Sequence, residues 1–171
     1  MSGCERHAGL QIISSLFSYP EVQTDIQLQE NISSAEGILA EMNSFDHILL
    51  ENEYVRLFIN AMPEVPCAPY GSVYLEGSVM GESTLKVAGI YLKYGIESTE
   101  PADHIAVESE FLAWLHGRTA GDADARKDFH YLLGHLRKWT DPFFNKVEQH
   151  DRLGYYRLCA KYARRILEDM E

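Results

Sequence analysis

The stretch that decides the fold reads PADHIAVESEFLAWL and spans residues 101–115. Its proline cannot continue an earlier helix, and Ala102 or Asp103 can cap the helix that follows. Apolar side chains then recur at helical spacing, at Val107, Phe111, Trp114 and Leu115. The spacing therefore predicts an amphipathic helix with one buried face.

Two polar side chains interrupt that buried face. On a helical wheel His104 lies within the apolar stripe, and Glu108 lies at its edge one turn later. Such a pair is most often hydrogen-bonded in a protein core. Alternatively, the helix lines a cleft in which Asp103, His104 and Glu108 face a ligand. A third alternative is a metal site completed by a remote ligand such as His135, although no HExxH, ExxH or CxxC pattern supports it.

Composition limits the function classes. The chain has 171 residues and a formal net charge of -11, from 15 basic and 26 acidic side chains. This charge disfavours binding to nucleic acid or to anionic membranes and suits a cationic partner. Cys4, Cys67 and Cys159 are too widely spaced to indicate a disulfide framework. There is no apolar run long enough to span a membrane, so we expect a cytoplasmic protein without membrane insertion.

Helical periodicity predicts further helices along the whole chain, and β alternation is not apparent. A first helix ends before Pro20, Asp46 can cap another helix, and Asp122 can cap a third. A capping-box pattern predicts a short helix that begins near residue 33. Asp141-Pro142 favours a new helix beginning at the proline.

The middle of the chain contains a less regular region and a helix that borders a polar linker. Residues 61–81 are rich in proline and glycine and include Tyr70 and Tyr74. The helix that follows is expected to bury Leu85, Ala88 and Leu92. Residues 97–101, ESTEP, form a candidate hinge. We therefore predict an all-α protein of one domain with about eight or nine helices, in which helical parts at about 1–96 and 102–171 meet at this hinge.

Several segments resemble the TorD/DmsD/NarJ family of redox-enzyme maturation chaperones. The similar motifs keep the same order and spacing over about residues 50–165: EYVRLF at 53–58, PYGSVYL at 69–75, GESTL at 81–85, PADH at 101–104 with Glu108 and Phe111-Leu112, and HLRKW at 135–139 followed by Tyr155-Tyr156. No one of these motifs is specific, but the ordered set is. The resemblance implies an all-helical chaperone, not an enzyme, without a catalytic residue, metal or cofactor of its own.

The resemblance also implies a ligand. Such chaperones bind the twin-arginine signal peptide of a molybdopterin oxidoreductase of the dimethyl-sulfoxide or trimethylamine-oxide reductase type, and they delay export until the cofactor is inserted. The family's peptide-binding positions correspond here to Asp103, His104, Glu108, Tyr70 and Tyr74. Carboxylates such as Glu100 and aromatic surface such as Trp114 suit guanidiniums beside an apolar segment.

Three questions stay open at this point. A NarJ-like assembly factor would bind the mature catalytic subunit instead of the leader. The expected oligomeric state is a monomer or a dimer swapped at the hinge. His104 either orients Asp103 or makes peptide affinity depend on pH between 6 and 7.

Overall fold

The protein is helical throughout the part of the chain described by the computed structural model, residues 2–20 and 45–170. Within these ranges it forms seven α-helices: α1 (Gly3–Leu16), α2 (His47–Tyr54), α3 (Gly71–Glu76), α4 (Glu82–Lys93), α5 (Ile105–His116), α6 (Ala123–His150) and α7 (Tyr155–Glu168). Val55–Ile59 continues α2 as a π-helical turn. The all-α prediction is confirmed. The short helix predicted near residue 33 lies outside the described ranges.

Short polar side chains begin three of these helices. Ser2 and Glu5 form a capping box at α1, where the Ser2 hydroxyl accepts from the Glu5 amide and the Glu5 carboxylate accepts from the Ser2 amide. Asp46 caps α2 and Asp122 caps α6, both as predicted. α1 ends at Leu16, ahead of Pro20, also as predicted.

Pro142 does not begin a new helix, contrary to prediction. α6 is 28 residues long and contains Pro142 in its interior, although an internal proline removes one hydrogen bond and costs about 3 kcal/mol. Trp139, Phe143 and Phe144 lie on either side of Pro142 and are fully buried. Tertiary packing on both sides therefore outweighs the local cost, and within the described ranges one long helix replaces two predicted ones.

One hydrophobic core joins the parts of the chain before and after residues 97–101. α1 packs mainly against α5, α5 against α6, and α6 against α7. The largest buried side chains of this core come from both parts of the chain: Trp139, Tyr156, Tyr162, Phe17, Phe143 and Phe144. The hinge and the swapped dimer stay predictions. In the described ranges, no helix has both the length and the apolar character needed to span a membrane.

The buried face of α4 differs from the predicted one. Leu85 and Leu92 are 65% and 61% exposed. The helix instead buries Thr84, Val87, Ile90 and Tyr91. α4 carries more apolar residues than one face requires, and the excess lies on the protein surface.

Candidate functional site

Asp103 joins two distant segments of the chain. Its Oδ2 accepts a 2.6 Å hydrogen bond from the Ser72 amide, and its carbonyl oxygen accepts from the Gly71 amide at 3.0 Å. α3 lacks a capping side chain of its own, because Tyr70 occupies its N-cap position without such a bond. Asp103 therefore caps α3 from across the fold, where its charge also favours the positive end of the helix dipole.

The segments next to this cap are linked through their backbones. The Ile105 amide donates to the Pro69 carbonyl at 3.0 Å, and Tyr70 and His104 form an isolated antiparallel bridge. Asp103 is fully buried. In this conformation its carboxylate is not presented to an incoming peptide.

His104, not Ala102 or Asp103, is the N-cap of α5. Its Nδ1 accepts from the Ala106 amide at 3.1 Å, which places the ring proton of the neutral imidazole on Nε2. Burial lowers the pKa of His104 to about 4, although Asp103 opposes the shift. His104 is therefore neutral between pH 6 and 7, and protonation of this ring does not provide a switch in that range.

Glu108 pairs with His135 of α6. The core-pair alternative had instead supposed a pair with His104. Glu108 Oε1 lies 2.7 Å from His135 Nδ1, and the Glu108 side chain is fully buried. Burial raises the pKa of Glu108, and the His135 bond opposes that shift. Burial disfavours a charged His135, but its bond to Glu108 and the charges of Glu108 and Asp103 together outweigh burial and raise the pKa of His135. Among the described residues, no group of three His, Cys, Asp or Glu side chains is arranged to hold a metal.

The two tyrosines have different surroundings. Tyr70 is half-buried, and its ring meets the His104 ring edge-on at 5.2 Å. Burial raises the pKa of Tyr70, and the nearby carboxylates of Glu100 and Asp103 add to the shift. Tyr74 stacks on Trp139 at 5.8 Å, and its hydroxyl is buried without a hydrogen-bond partner. Only Tyr70 therefore stands next to the linker.

Two open cavities flank the linker at residues 97–101. One, of about 400 Å³, lies on the α4 side and is lined by Met80, Leu85, Ala88 and Leu92. The other, of about 440 Å³, lies on the α5 side and is lined by Val107, Phe111 and Trp114. Both are also lined by Tyr91, Ile96 and residues 97–100. We call them the α4 groove and the α5 groove.

Acidic side chains border both grooves. Glu97 and Glu100 line each of them, and Glu110 lines the α5 groove. All three are exposed, and no lysine, arginine or histidine in the described chain forms an ion pair with them. Glu76 does not border a groove: it accepts hydrogen bonds from the Glu82 and Ser83 amides and so caps α4. The grooves thus combine apolar walls with unpaired negative charge.

The residues singled out from the sequence and the open surface are neighbours but not the same set. Asp103, His104 and Glu108 hold helices together, and the peptide-binding role of the five residues stays a prediction. Sequence reasoning missed Leu85 and Leu92 as surface residues. The signal was present in the second apolar stripe of α4, which one buried face does not need.

Comparison with known proteins gives concordant results. A profile of the nitrate reductase delta subunit family matches residues 22–145. The chaperone protein TorD of Histophilus somni is 26% identical over 144 residues, which cover 81% of this chain and 70% of that protein. TorD of an Escherichia coli strain is also 26% identical, over 153 residues that cover 86% of this chain and 75% of TorD.

A solved structure extends the similarity to the fold. It is a redox enzyme maturation protein from Archaeoglobus fulgidus with 33% sequence identity and a TM-score of 0.64. The match covers 95% of this chain and 91% of the other. The shared fold therefore extends over nearly the whole chain.

Proposed function

Because this chain belongs to the nitrate reductase delta subunit family of redox-enzyme maturation chaperones, we propose that it binds the twin-arginine leader of a client enzyme in the two grooves beside its linker. The family assignment makes it a chaperone and not an enzyme. The resemblance found from the sequence motifs is thereby confirmed at the family level. The leader, the client and the binding surface are the proposal.

The observation that carries the proposal is the pairing of apolar walls with unpaired carboxylates. A twin-arginine leader joins two guanidiniums to an apolar stretch, so it needs both kinds of surface within a short distance. Leu85 and Leu92 supply apolar area in the α4 groove, and Glu97 and Glu100 supply carboxylates that can bond a guanidinium bidentately. The net charge of -11 favours rapid encounter with such a cationic peptide.

The residues identified from the family motifs hold together the helices next to these grooves. Asp103 and Glu108 fix α3, α5 and α6 to one another through buried hydrogen bonds. Tyr70 and His104 lie against the same junction, and Glu100 is close enough to perturb the pKa of Tyr70. We assign Tyr70 and His104 to the edge of the site, and Asp103, Glu108 and Tyr74 to positioning it.

The client we propose is the apo form of a molybdopterin oxidoreductase of the dimethyl-sulfoxide or trimethylamine-oxide reductase type. Leader binding in the cytoplasm would hold this enzyme back from export until its cofactor is inserted. A protein with this role needs no cofactor site of its own.

A titration of the purified protein with a leader peptide of such an enzyme tests the proposal. Trp139 is fully buried and Trp114 lies in the α5 groove, so we expect Trp114 to dominate any change in tryptophan fluorescence. Saturable binding with Kd of about 1 μM or tighter, weakened when both arginines are replaced by lysine, is the expected result.

Matched leucine variants locate the binding surface. Leu92→Ser should weaken binding by about fivefold or more through the loss of apolar contact. Leu49→Ser is the control, because Leu49 is also exposed, at 53%, but lines neither groove. Equal effects of the two variants would contradict the proposed surface. Binding of the mature enzyme without its leader, and of no leader peptide, would instead favour the assembly-factor alternative.

A further inference from the structure

A guanidinium of the chain itself lies over the ring of Trp114, a residue that also lines the α5 groove. The Arg118 Cζ is 3.5 Å from the centroid of the Trp114 ring, and Arg118 Nη1 donates to the Trp114 carbonyl at 3.2 Å. Arg118 is exposed, and it forms no ion pair with a carboxylate of the described chain. Among the described residues, the contacts of this charge are therefore the Trp114 ring and the Trp114 carbonyl.

The same ring faces the groove in which the carboxylates are unpaired. Trp114 lines the α5 groove together with Glu97, Glu100 and Glu110. Its ring is held in place by Phe111, stacked at 5.5 Å, and by Tyr94, edge-on at 5.2 Å. A rigid indole next to carboxylates is suited to a planar guanidinium, which stacks on the ring while its N–H groups reach acceptors in the ring plane. An ammonium group has no planar face with which to stack in this way.

We propose that the face of Trp114 is the guanidinium subsite of the leader and that Arg118 occupies it in the free protein. A leader arginine would then displace Arg118, an exposed side chain whose contacts within the described ranges are with Trp114 of its own helix end. This inference rests on the proposed function and adds a competition to it. Arg118 lowers the affinity for every ligand that uses the ring, and a ligand without a guanidinium displaces it poorly.

Arg118→Gln tests this competition in the full chain. We expect the variant to bind the twin-arginine leader about two- to fivefold more tightly than the wild type does, because the exposed cation–π contact no longer has to be broken. Its affinity for the Lys-Lys leader should change less, so the ratio between the two leaders should rise. Lys127→Gln removes one exposed positive charge without touching Trp114, and it should leave both affinities nearly unchanged.

A double-mutant cycle shows whether Arg118 acts through the ring. Trp114→Leu should weaken leader binding, and Arg118→Gln should have no further effect in that background. Circular dichroism checks that each variant stays helical, and calorimetry replaces fluorescence where Trp114 is absent.

Each outcome of these titrations is decisive. Weaker or unchanged binding by Arg118→Gln, with a wild type that binds the leader, overturns the competition but leaves the proposed function intact. An equal gain from Lys127→Gln would mean that net charge, not the ring, explains the effect, and it also overturns the inference. Absence of leader binding by wild type and Arg118→Gln alike overturns both the inference and the proposed function.

Discussion

The residues just before and just after Pro101 have opposite environments. Glu97 and Glu100 are exposed and have no cationic partner among the described residues, whereas Asp103 and Glu108 are fully buried and hydrogen-bonded. We call the first group the open rim and the second the sealed junction. Only a few residues separate them in sequence, yet a solvated charge can meet a ligand and a buried, bonded charge supports the fold.

The difference teaches where a family motif exerts its effect. PADH is the most diagnostic segment of the sequence, but Asp103 caps α3 and His104 caps α5. The motif therefore fixes the relative positions of two helix ends, one of which leads towards the α4 groove. Under the proposed function, the motif would affect peptide binding indirectly, by keeping the grooves in shape.

The largest expected loss of stability comes from a substitution that breaks the sealed junction. Glu108→Ala leaves His135 without its partner in the core, so the free energy of unfolding should fall by about 3–5 kcal/mol. Glu108→Gln keeps an oxygen that can accept from His135 Nδ1 and should cost less. Urea unfolding followed by circular dichroism measures both. A loss below about 1 kcal/mol for Glu108→Ala would mean that the junction does not hold α5 to α6.

The next effect is a pH dependence of stability that His104 contributes. The folded-state pKa of about 4 lies below the ordinary histidine pKa of 6.5, so the unfolded chain binds more protons between these values. The contribution of His104 is therefore present above pH 6.5 and is lost as pH falls towards 4, by about 3 kcal/mol in total. The raised pKa values of Glu108 and His135 act in the opposite direction.

His104→Asn isolates that contribution, because asparagine can cap the helix and does not titrate. Urea unfolding at a series of pH values from 4 to 7 should show a smaller loss of stability at acid pH in the variant than in the wild type. Parallel curves for the two proteins would contradict the assignment of a neutral, capping His104.

Local signals were enough to predict most of the helices. The caps at Asp46 and Asp122 each depend on a side chain and an amide three residues away. The family motifs, read in order, were enough to identify the family. These features need only neighbours in sequence.

The remaining features depend on contacts that a sequence does not display. Glu108 meets His135, a residue 27 positions away, and Asp103 meets an amide 31 positions away. The continuation of α6 through Pro142 depends on packing against other helices. The orientation of α4 was mispredicted because it has two apolar stripes, and only the fold determines which stripe is buried.

The most direct test compares one variant of each region in the same titration. Asp103→Asn keeps an oxygen for the Ser72 amide but removes the charge, and Glu97→Gln/Glu100→Gln removes two rim charges. We predict that Asp103→Asn binds the twin-arginine leader within about twofold of the wild type below its unfolding temperature, whereas the rim variant binds on the order of tenfold more weakly. Loss of arginine-over-lysine preference in a folded Asp103→Asn, with full affinity in the rim variant, would contradict the account.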